Sequence, residues 1–504
     1  MCGFVGTTNT QNVELMLSKQ EFRGPDGSRF WSNKEFAIGH CLLDINGKKQ
    51  FQPIETPNGN IIAFNGEMYD STIQNDTMWL ANMYETYGRK VLEWSDWHGS
   101  IIHYNPKSGD ITLVRDHFGA KPLWYYKKGK DIEVSTSLRS FLTKESDRRN
   151  WEMHMKTKQW FGRMTQWKYI HKVAPGEVVT LNTRKGTIRT ENLWKYYKIE
   201  SHDLHLPEFK DKLIESINKV AKNIQKTGLF LSGGFDSTMA FSAVKDSDLD
   251  LHIYSCKYHE QRGRKWDHEG FRREFGKAKH TCLEFGYDVN EVMTYPAKRY
   301  MNHMHWIEKT HFLWADKNRT SPRYEMCKQA SADGCKVILT GDSADELVTG
   351  YKHHEKRFSD EYNLETMNYV KYKHRRWFPT KSFGDDLINN TLFHDLLTTS
   401  EQNILTTDQT CGMFGMESRP VFLTQSFVKY IMSIKGTDKL KDNPDYHPGE
   451  WKWLLREGMK DYIPEHVRLR SQKIGWSSPW DNNNKEVQTR EQKEQLLYLE
   501  EMCK

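Results

Sequence analysis

The sequence lacks the features that would point to a membrane, a secreted framework or a zinc finger. Its 504 residues contain no apolar run long enough to cross a membrane. The N-terminus has no basic segment followed by an apolar stretch, so we expect no signal peptide and a cytoplasmic location. None of the 8 cysteines forms a Cys-x-x-Cys pair, which argues against zinc fingers and favours a reducing compartment.

A large excess of charge of one sign is also absent. The 73 Lys and Arg residues nearly balance 67 Asp and Glu residues, which gives a formal net charge of +6. Such a small excess favours small-molecule substrates over nucleic acid or a membrane surface. Hydrophobic residues make up 37% of the chain, which is enough for two or three domains with separate cores. The sequence leaves the oligomeric state open, with a homodimer as one option.

Two different patterns divide the chain. Residues 1–140 contain short runs such as "IIAFNG" and "DITLVRD", broken by Asn, Gly and Asp, which predict packed sheets. A helical pattern at 77–94 lies among them, and 176–206 is predicted to be a polar, extended connection. Strands and helices then alternate, which predicts a parallel sheet with helices on both faces. We therefore expect domains at 1–190 and 207–504.

The stretch "LFLSGGFDST" predicts a phosphate-binding loop between a strand and a helix. Gly233 and Gly234 let the backbone approach an anion closely, and the following helix N-terminus offers free N–H groups. Ser232 and Ser237 add hydroxyl donors, while Asp236 beside a phosphate implies that Mg²⁺ lies between them. The loop is not a Walker A motif, and the alternative is an ordinary glycine turn capped by serine and aspartate.

A second loop, "LTGDSADE", ends another predicted strand and carries more acids. We expect Asp345 to share Mg²⁺ with Asp236, and we expect Asp342 to approach a substrate. The alternative is a helix N-terminus enriched in acids because of its dipole. Together the two loops resemble those of ATP pyrophosphatase enzymes, which split ATP into AMP and pyrophosphate while they adenylate a substrate.

Cys2 directly follows the initiator methionine. Removal of Met1 would give this residue both a thiol and a free α-amine, which are a nucleophile and a weak base. Taken alone, the position is compatible with chance.

The ordered set of motifs resembles the family of glutamine-hydrolysing asparagine synthetases over nearly the whole chain. The resemblance implies an α+β N-terminal sandwich of the N-terminal-nucleophile hydrolase type (αββα), followed by an α/β parallel-sheet synthetase domain. The motifs are "CGFVG", "RGPDG" (23–27), "FNGEMYD" (64–70), "RDHFGAKPLWYY" (115–126), "APGE" (174–177), "GMESRPVFL" (415–423) and "WLLREGMKDYIPEHVRLRSQKIGWSSP" (453–479).

The resemblance also implies a role for each matching position. Cys2 attacks the glutamine amide, Asn65 and Gly66 form the oxyanion hole, and Asp342 serves the acyl-adenylate step. The implied glutamine-binding residues are Arg23, Asn65, Gly66, Glu67 and Asp76. The implied ATP-binding residues are Leu231, Ser232, Gly233, Gly234, Asp236, Ser237, Cys256, Thr340, Gly341 and Lys473, with Asp236 and Asp345 as Mg²⁺ ligands.

Three positions depart from the family pattern. Leu42 stands where the family has an arginine that grips the glutamine α-carboxylate, and a leucine makes no charge-assisted pair. Phe22 replaces the histidine before the Arg-Gly-Pro-Asp motif, and Asp342 is a glutamate in many members. Two of the three departures, Phe22 and Leu42, lie in the glutamine half.

The expected activity is conversion of aspartate to asparagine through β-aspartyl-AMP, with ATP as co-substrate, Mg²⁺ as cofactor, and glutamine or ammonia as nitrogen donor. The main alternative is an enzyme of the same architecture that amidates a different carboxylate. A non-catalytic ATP-binding relic and a nucleic-acid-modifying pyrophosphatase are further alternatives. The non-catalytic relic is disfavoured because Cys2, Asn65, Asp236, Asp345 and Lys473 are all retained. The nucleic-acid-modifying enzyme is disfavoured because the sequence shows neither a basic face nor a paired cysteine site.

Overall fold

The computed structural model describes most of the chain and omits several segments. It describes residues 2–504 except 48, 70–74, 158–159, 194–200, 223, 225, 259–268, 295, 313–316, 352–382, 384–385, 440–451, 471–496, 499–500 and 502–504. Among the described residues, no helix combines the length and apolar character that crossing a bilayer requires.

The described strands, in chain order, are β1 (Gly3–Thr7), β2 (Ser28–Ser32), β3 (Ala37–Cys41), β4 (Ile54–Glu55), β5 (Ile61–Met68), β6 (Trp97–Asn105), β7 (Asp110–Arg115), β8 (Trp124–Lys128), β9 (Asp131–Ser135), β10 (Ile170–Lys172), β11 (Glu177–Asn182), β12 (Ile188–Asn192), β13 (Lys226–Phe230), β14 (Asp250–Tyr258), β15 (Val289–Thr294), β16 (Val337–Thr340) and β17 (Glu417–Pro420).

The described α-helices are α1 (Val13–Ser18), α2 (Asp76–Tyr87), α3 (Val91–Trp94), α4 (Arg148–Thr157), α5 (Leu206–Val220), α6 (Phe235–Val244), α7 (Glu269–Glu284), α8 (Pro296–Thr310), α9 (Lys317–Ala332), α10 (Ala344–Leu347), α11 (Leu387–Asp395), α12 (Glu401–Met413), α13 (Gln425–Ser433), α14 (Trp453–Gly458) and α15 (Glu465–Arg468). A π-helical segment, Leu396–Ser400, joins α11 to α12.

Two antiparallel sheets form the N-terminal half. One has the strand order β10-β8-β9-β1-β3-β2, and the other has the order β12-β11-β7-β6-β5-β4. Buried residues from both sheets, including Phe4 and Ile38 from one and Ile61 and Ile102 from the other, form a common core. Helix α1 packs on β3 of the first sheet and α2 packs on β5 of the second. This αββα sandwich confirms the expected fold class for the N-terminal half.

Two local predictions in this half need correction. Residues 177–192 are not part of an extended connection, because β11 and β12 pair with each other and β11 pairs with β7. The predicted helix at 77–94 is divided into α2 and α3, because Gly88 ends α2 with φ of +59°. The exposed polar residues of β12 and the single glycine inside the helical pattern are both weak local signals.

The C-terminal half contains a five-stranded sheet with the order β15-β14-β13-β16-β17, and all of its pairings are parallel. Successive residues of β13 point to opposite faces of the sheet. Leu229 packs in the cluster that contains residues of α5 and α6, whereas Phe230 packs with residues of α9 and α12. Helices therefore cover both faces, as expected for an α/β domain.

The two halves contact each other through buried polar groups. The carbonyl oxygen of Leu423 lies 2.9 Å from His98 Nε2, and Lys121 Nζ donates to the Ser418 carbonyl at 2.7 Å. Arg115 and Glu401 form a buried ion pair at 2.8 Å. Because buried polar groups need partners, these contacts fix how the sandwich lies against the parallel sheet.

Candidate functional site

Cys2 lies just before β1, with its thiol at the boundary between the two halves. The Leu43 N–H donates to its Sγ at 3.4 Å. Burial raises the pKa of the Cys2 thiol to about 11, so the thiol is neutral at physiological pH in this environment. A neutral thiol is a weak nucleophile, so any reaction here requires a base that removes its proton.

Asn65 and Gly66 lie side by side on β5. The Asn65 side chain is fully buried, and its Nδ2 lies 3.5 Å from Ser100 Oγ. Its Oδ1 has no hydrogen-bond partner among the described residues. A Cβ on Gly66 would lie 2.1 Å from the His98 carbonyl oxygen, so only glycine fits there. The close backbone packing at Gly66 thus positions the neighbouring Asn65 amide, whose Nδ2 is bonded to Ser100.

The predicted acids Glu67 and Asp76 both lie at this site. Glu67 Oε2 accepts from Arg419 Nη2 at 2.8 Å, and Asp76 Oδ1 accepts from the Thr77 N–H at 2.7 Å. Burial raises the pKa of Glu67 to about 8 and that of Asp76 to about 6. Both acids therefore titrate near physiological pH. A bound cationic ligand would favour their ionised forms.

Arg23 is completely buried and makes an ion pair across the interface. Its Nη2 lies 3.0 Å from Asp408 Oδ2 on α12, and its Nε donates to the Cys2 carbonyl at 3.4 Å. The structure thus places Arg23 beside Cys2 and shows a partner, Asp408, that the sequence did not indicate.

The partners Asp408, Glu417 and Arg419 were missed at the sequence level. Arg419 bridges Glu417 and Glu67, each at 2.8 Å. The signal for two of them was present, because Glu417 and Arg419 lie inside the motif "GMESRPVFL". A motif gives residue types, however, and the pairing across the interface is visible only in three dimensions.

Leu42 is buried directly after β3, where an arginine was expected from the resemblance. Its N–H donates to the Gly27 carbonyl at 2.8 Å, and its carbonyl accepts from the Asp26 N–H at 2.9 Å. The adjacent Asp26 pairs with Lys336 of the other half at 3.2 Å. The leucine therefore contributes backbone bonds and apolar packing to this edge of the site.

The predicted phosphate loop connects β13 to α6. The Ser232 N–H donates to Ser237 Oγ at 3.1 Å, and the Gly234 N–H donates to Ser232 Oγ at 3.2 Å. Gly233 has φ of +71°, a conformation that disfavours residues with a side chain. The serine hydroxyls thus accept hydrogen bonds from the loop backbone and hold the turn between β13 and α6.

The second loop follows β16 and touches the first. A Cβ on Gly341 would lie 3.0 Å from the Asp236 carbonyl carbon, so glycine permits this close approach. Asp342 Oδ2 accepts from Thr407 Oγ1 at 3.3 Å, and Arg323 Nη2 lies 3.8 Å from its Oδ1. Because β13 and β16 are parallel neighbours, their carboxyl ends bring both loops to one place.

Asp236 and Asp345 meet through a lysine that the sequence reasoning did not single out. Lys452 Nζ lies 2.7 Å from Asp345 Oδ1 and also donates to both carboxylate oxygens of Asp236. Burial lowers the pKa of Lys452, but the two carboxylates outweigh this and raise it above its usual value. Two carboxylates gathered around one cation form a donor set that suits a divalent metal.

The other predicted ATP-binding residues lie around these loops. Leu231 is fully buried just beyond β13, while Cys256 is buried on β14 and Thr340 ends β16. Arg470 Nη1 donates to the Gly233 carbonyl at 2.7 Å, which places a further cation at the phosphate loop. Lys473 lies outside the described residues.

Comparison with known proteins adds to this geometry. Residues 1–194 match the glutamine amidotransferase domain, and residues 208–500 match asparagine synthase. A glutamine amidotransferase domain joined to a synthase domain defines the class, a carbon–nitrogen ligase that takes nitrogen from glutamine. Because the synthase match covers more than half of the chain, the chain belongs to the asparagine synthase family.

Curated relatives agree with that assignment. The glutamine-hydrolysing asparagine synthetase 1 of Bacillus subtilis is 25% identical, over 95% of this chain and 87% of its own. A probable glutamine-hydrolysing asparagine synthetase of Dictyostelium discoideum is 21% identical, over 96% and 87%. Among solved structures, the glutamine phosphoribosylpyrophosphate amidotransferase of B. subtilis, in complex with ADP and GMP, has a TM-score of 0.30 and 12% identity, over 58% of this chain and 81% of its own. The fold assignment rests on the three sheets described above.

Proposed function

We propose that this chain makes asparagine from aspartate, with glutamine as nitrogen donor and ATP as the activating co-substrate. The family match favours this reaction over amidation of a different carboxylate. Glutamine is hydrolysed at Cys2 through a thioester and releases ammonia. At the other site the aspartate β-carboxylate attacks ATP and gives β-aspartyl-AMP and pyrophosphate. Ammonia then displaces AMP and yields asparagine.

The observation that carries the proposal is one apolar cluster that reaches both sites. Cys2 and Leu43 from the N-terminal half pack against the same buried cluster as Phe230 and Cys256. Phe230 ends β13, directly before the phosphate loop. Neutral ammonia crosses an apolar interior more easily than ammonium does, and it stays reactive there.

At the glutamine site, each residue has a distinct proposed role. The buried Cys2 thiol loses its proton to the α-amine that removal of Met1 would expose. Asn65 Nδ2 and the Gly66 N–H stabilise the oxyanion, each worth about 3 kcal/mol in comparable enzymes. Glu67 and Asp76 hold the glutamine α-amine, and Arg23 shapes the pocket through its bond to the Cys2 carbonyl.

At the ATP site, the proposed ligands come from both loops. The backbone around Ser232, Gly233 and Gly234 cradles phosphate, and Asp342 serves the adenylation step beside Arg323. Leu231, Cys256, Thr340 and Gly341 lie where the adenosine would bind, and Lys473 is proposed to neutralise pyrophosphate. Ser237 supports the cradle through Ser232.

The carboxylates of Asp236 and Asp345 fit Mg²⁺, because the ion prefers one or two carboxylates together with phosphate oxygens. The bound ion would supply charge neutralisation on the phosphates.

We place the domain boundary between 190 and 207; β12 ends at Asn192 and α5 begins at Leu206. A cytoplasmic location and a homodimeric state stay predictions of the sequence.

The test supplies purified protein with ATP, Mg²⁺ and aspartate, and with either amide-¹⁵N glutamine or ¹⁵N ammonium. Mass spectrometry then follows labelled asparagine. We expect label from both donors in the wild type, and label from ammonium alone in Cys2→Ala. Absence of asparagine with either donor would contradict the assignment of aspartate.

A further inference from the structure

Lys452 lies between the two acids to which the proposed function assigns a divalent cation. Its ammonium contacts Asp345 at 2.7 Å and both oxygens of Asp236, and only 6% of the residue is exposed. The two acids belong to different loops, after β13 and after β16. One lysine therefore pairs with both acids, and its single positive charge offsets part of their negative charge.

The backbone shows that this lysine is held in place. Lys452 has φ of +67°, in the left-handed region that residues with a side chain seldom adopt. It immediately precedes α14, and its carbonyl accepts the Arg456 N–H at 2.9 Å. Such a conformation persists where the surroundings fix it, and it is often found at functional sites.

We infer that Lys452 is an exchangeable internal cation. It pairs with Asp236 and Asp345 while no nucleotide is bound, and it yields their oxygens to the divalent cation that accompanies ATP. The inference rests on the proposed function for its two metal ligands. An ammonium and a divalent cation compete for the same oxygens, because like charges repel strongly where water is scarce.

The exchange requires movement of the lysine side chain alone. Its flexible four-carbon stem lets the ammonium turn away from the carboxylates. Before nucleotide binds, Lys452 keeps two acids on separate loops together and limits metal binding.

The test measures binding of Mn²⁺ alone by electron paramagnetic resonance. We expect Lys452→Gln to bind Mn²⁺ at least about tenfold more tightly than the wild type, since the competing cation is gone. Lys452→Arg should bind as weakly as the wild type. The matched control Lys460→Gln removes an exposed charge from the same segment and should change nothing. Equal affinity in the wild type and Lys452→Gln would overturn the exchange.

Two further measurements keep the outcome decisive. If Lys452→Gln does not fold, an amine reagent is applied to the wild type, and labelling of Lys452 is mapped by mass spectrometry. Saturating Mn²⁺ should raise this labelling at least about twofold relative to Lys460; unchanged labelling would overturn the exchange. A non-hydrolysable ATP analogue separates the two proposals. Failure of Mn²⁺ to bind with the analogue would remove the metal site itself, and the exchange with it.

Discussion

The proposed glutamine site and the proposed ATP site are stabilised in different ways. At the glutamine site, charged residues of one half are paired with charged residues of the other, as in Arg23 with Asp408 and Glu67 with Arg419. At the ATP site, two loops of one domain approach each other through glycines and share one lysine. The glutamine site therefore requires the assembled interface, whereas the ATP site is built from neighbouring strands of one sheet.

The largest effect is expected when the ATP site alone is broken. Asp345→Asn removes half of the charge proposed to hold Mg²⁺, so asparagine synthesis with either donor should fall about 10³-fold, equivalent to about 4 kcal/mol. Glutamine hydrolysis should persist, because the residues proposed to bind and cleave glutamine lie in the other half and Asp345 takes no part in the interface ion pairs described above. Both rates are measured on the same preparation, and a parallel loss of hydrolysis would contradict the separation of the sites.

The reverse break concerns the oxyanion hole. Gly66→Ala places a Cβ 2.1 Å from the His98 carbonyl oxygen, so β5 must shift where Asn65 and the Gly66 N–H are held. We expect glutamine-dependent synthesis to fall about 10²-fold, as when one oxyanion donor is lost, while ammonia-dependent synthesis is retained. Gly276→Ala is the matched control, because its Cβ would meet no atom within 4 Å. Equal loss with both donors would argue for a general folding defect.

A third prediction tests whether the interface stabilises the molecule. Asp408→Asn leaves the buried Arg23 guanidinium without its charged partner, which should lower the free energy of unfolding by about 3–5 kcal/mol. Urea unfolding followed by tryptophan fluorescence measures the change. Asp203→Asn, which removes an exposed ion pair with Lys435, is the control and should leave the unfolding midpoint unchanged. Similar unfolding midpoints in the two variants would show that this interface ion pair does not stabilise the molecule.

The smallest expected effect is a pH dependence confined to the glutamine site. Burial raises the pKa of Glu67 to about 8 and that of Asp76 to about 6, so the two acids lose their protons between about pH 5 and about pH 9. Their ionised forms attract the glutamine ammonium, so the KM for glutamine should fall by up to about fivefold over this interval. Glu67→Gln should flatten the profile. A rising KM would reverse the sign and contradict the assignment.

The same protonation bears on stability. These acids bind more protons in the folded state than in the unfolded chain, so their contribution to stability declines as pH rises from the ordinary carboxyl range through about 8. Catalysis and stability at this site thus respond to pH in opposite directions.

Sequence reasoning predicted best what depends on short stretches of chain. The parallel sheet, the phosphate loop and the loop with Asp342 and Asp345 follow from local apolar runs and glycines. It failed where a partner lies far along the chain. Asp408 is 385 residues from Arg23, and nothing near Asp408 indicates an arginine partner. Lys452 was missed for the same reason, because only the fold brings it to Asp236, 216 residues away.

The central claim is that the two sites communicate through the interior, along the apolar cluster shared by Cys2 and Cys256. The most direct measurement supplies amide-¹⁵N glutamine together with an excess of unlabelled ammonium and follows the label in asparagine. The account predicts that asparagine carries far more label than the mixed ammonia pool. A label fraction equal to that of the pool would show that ammonia passes through bulk water, and would contradict the claim.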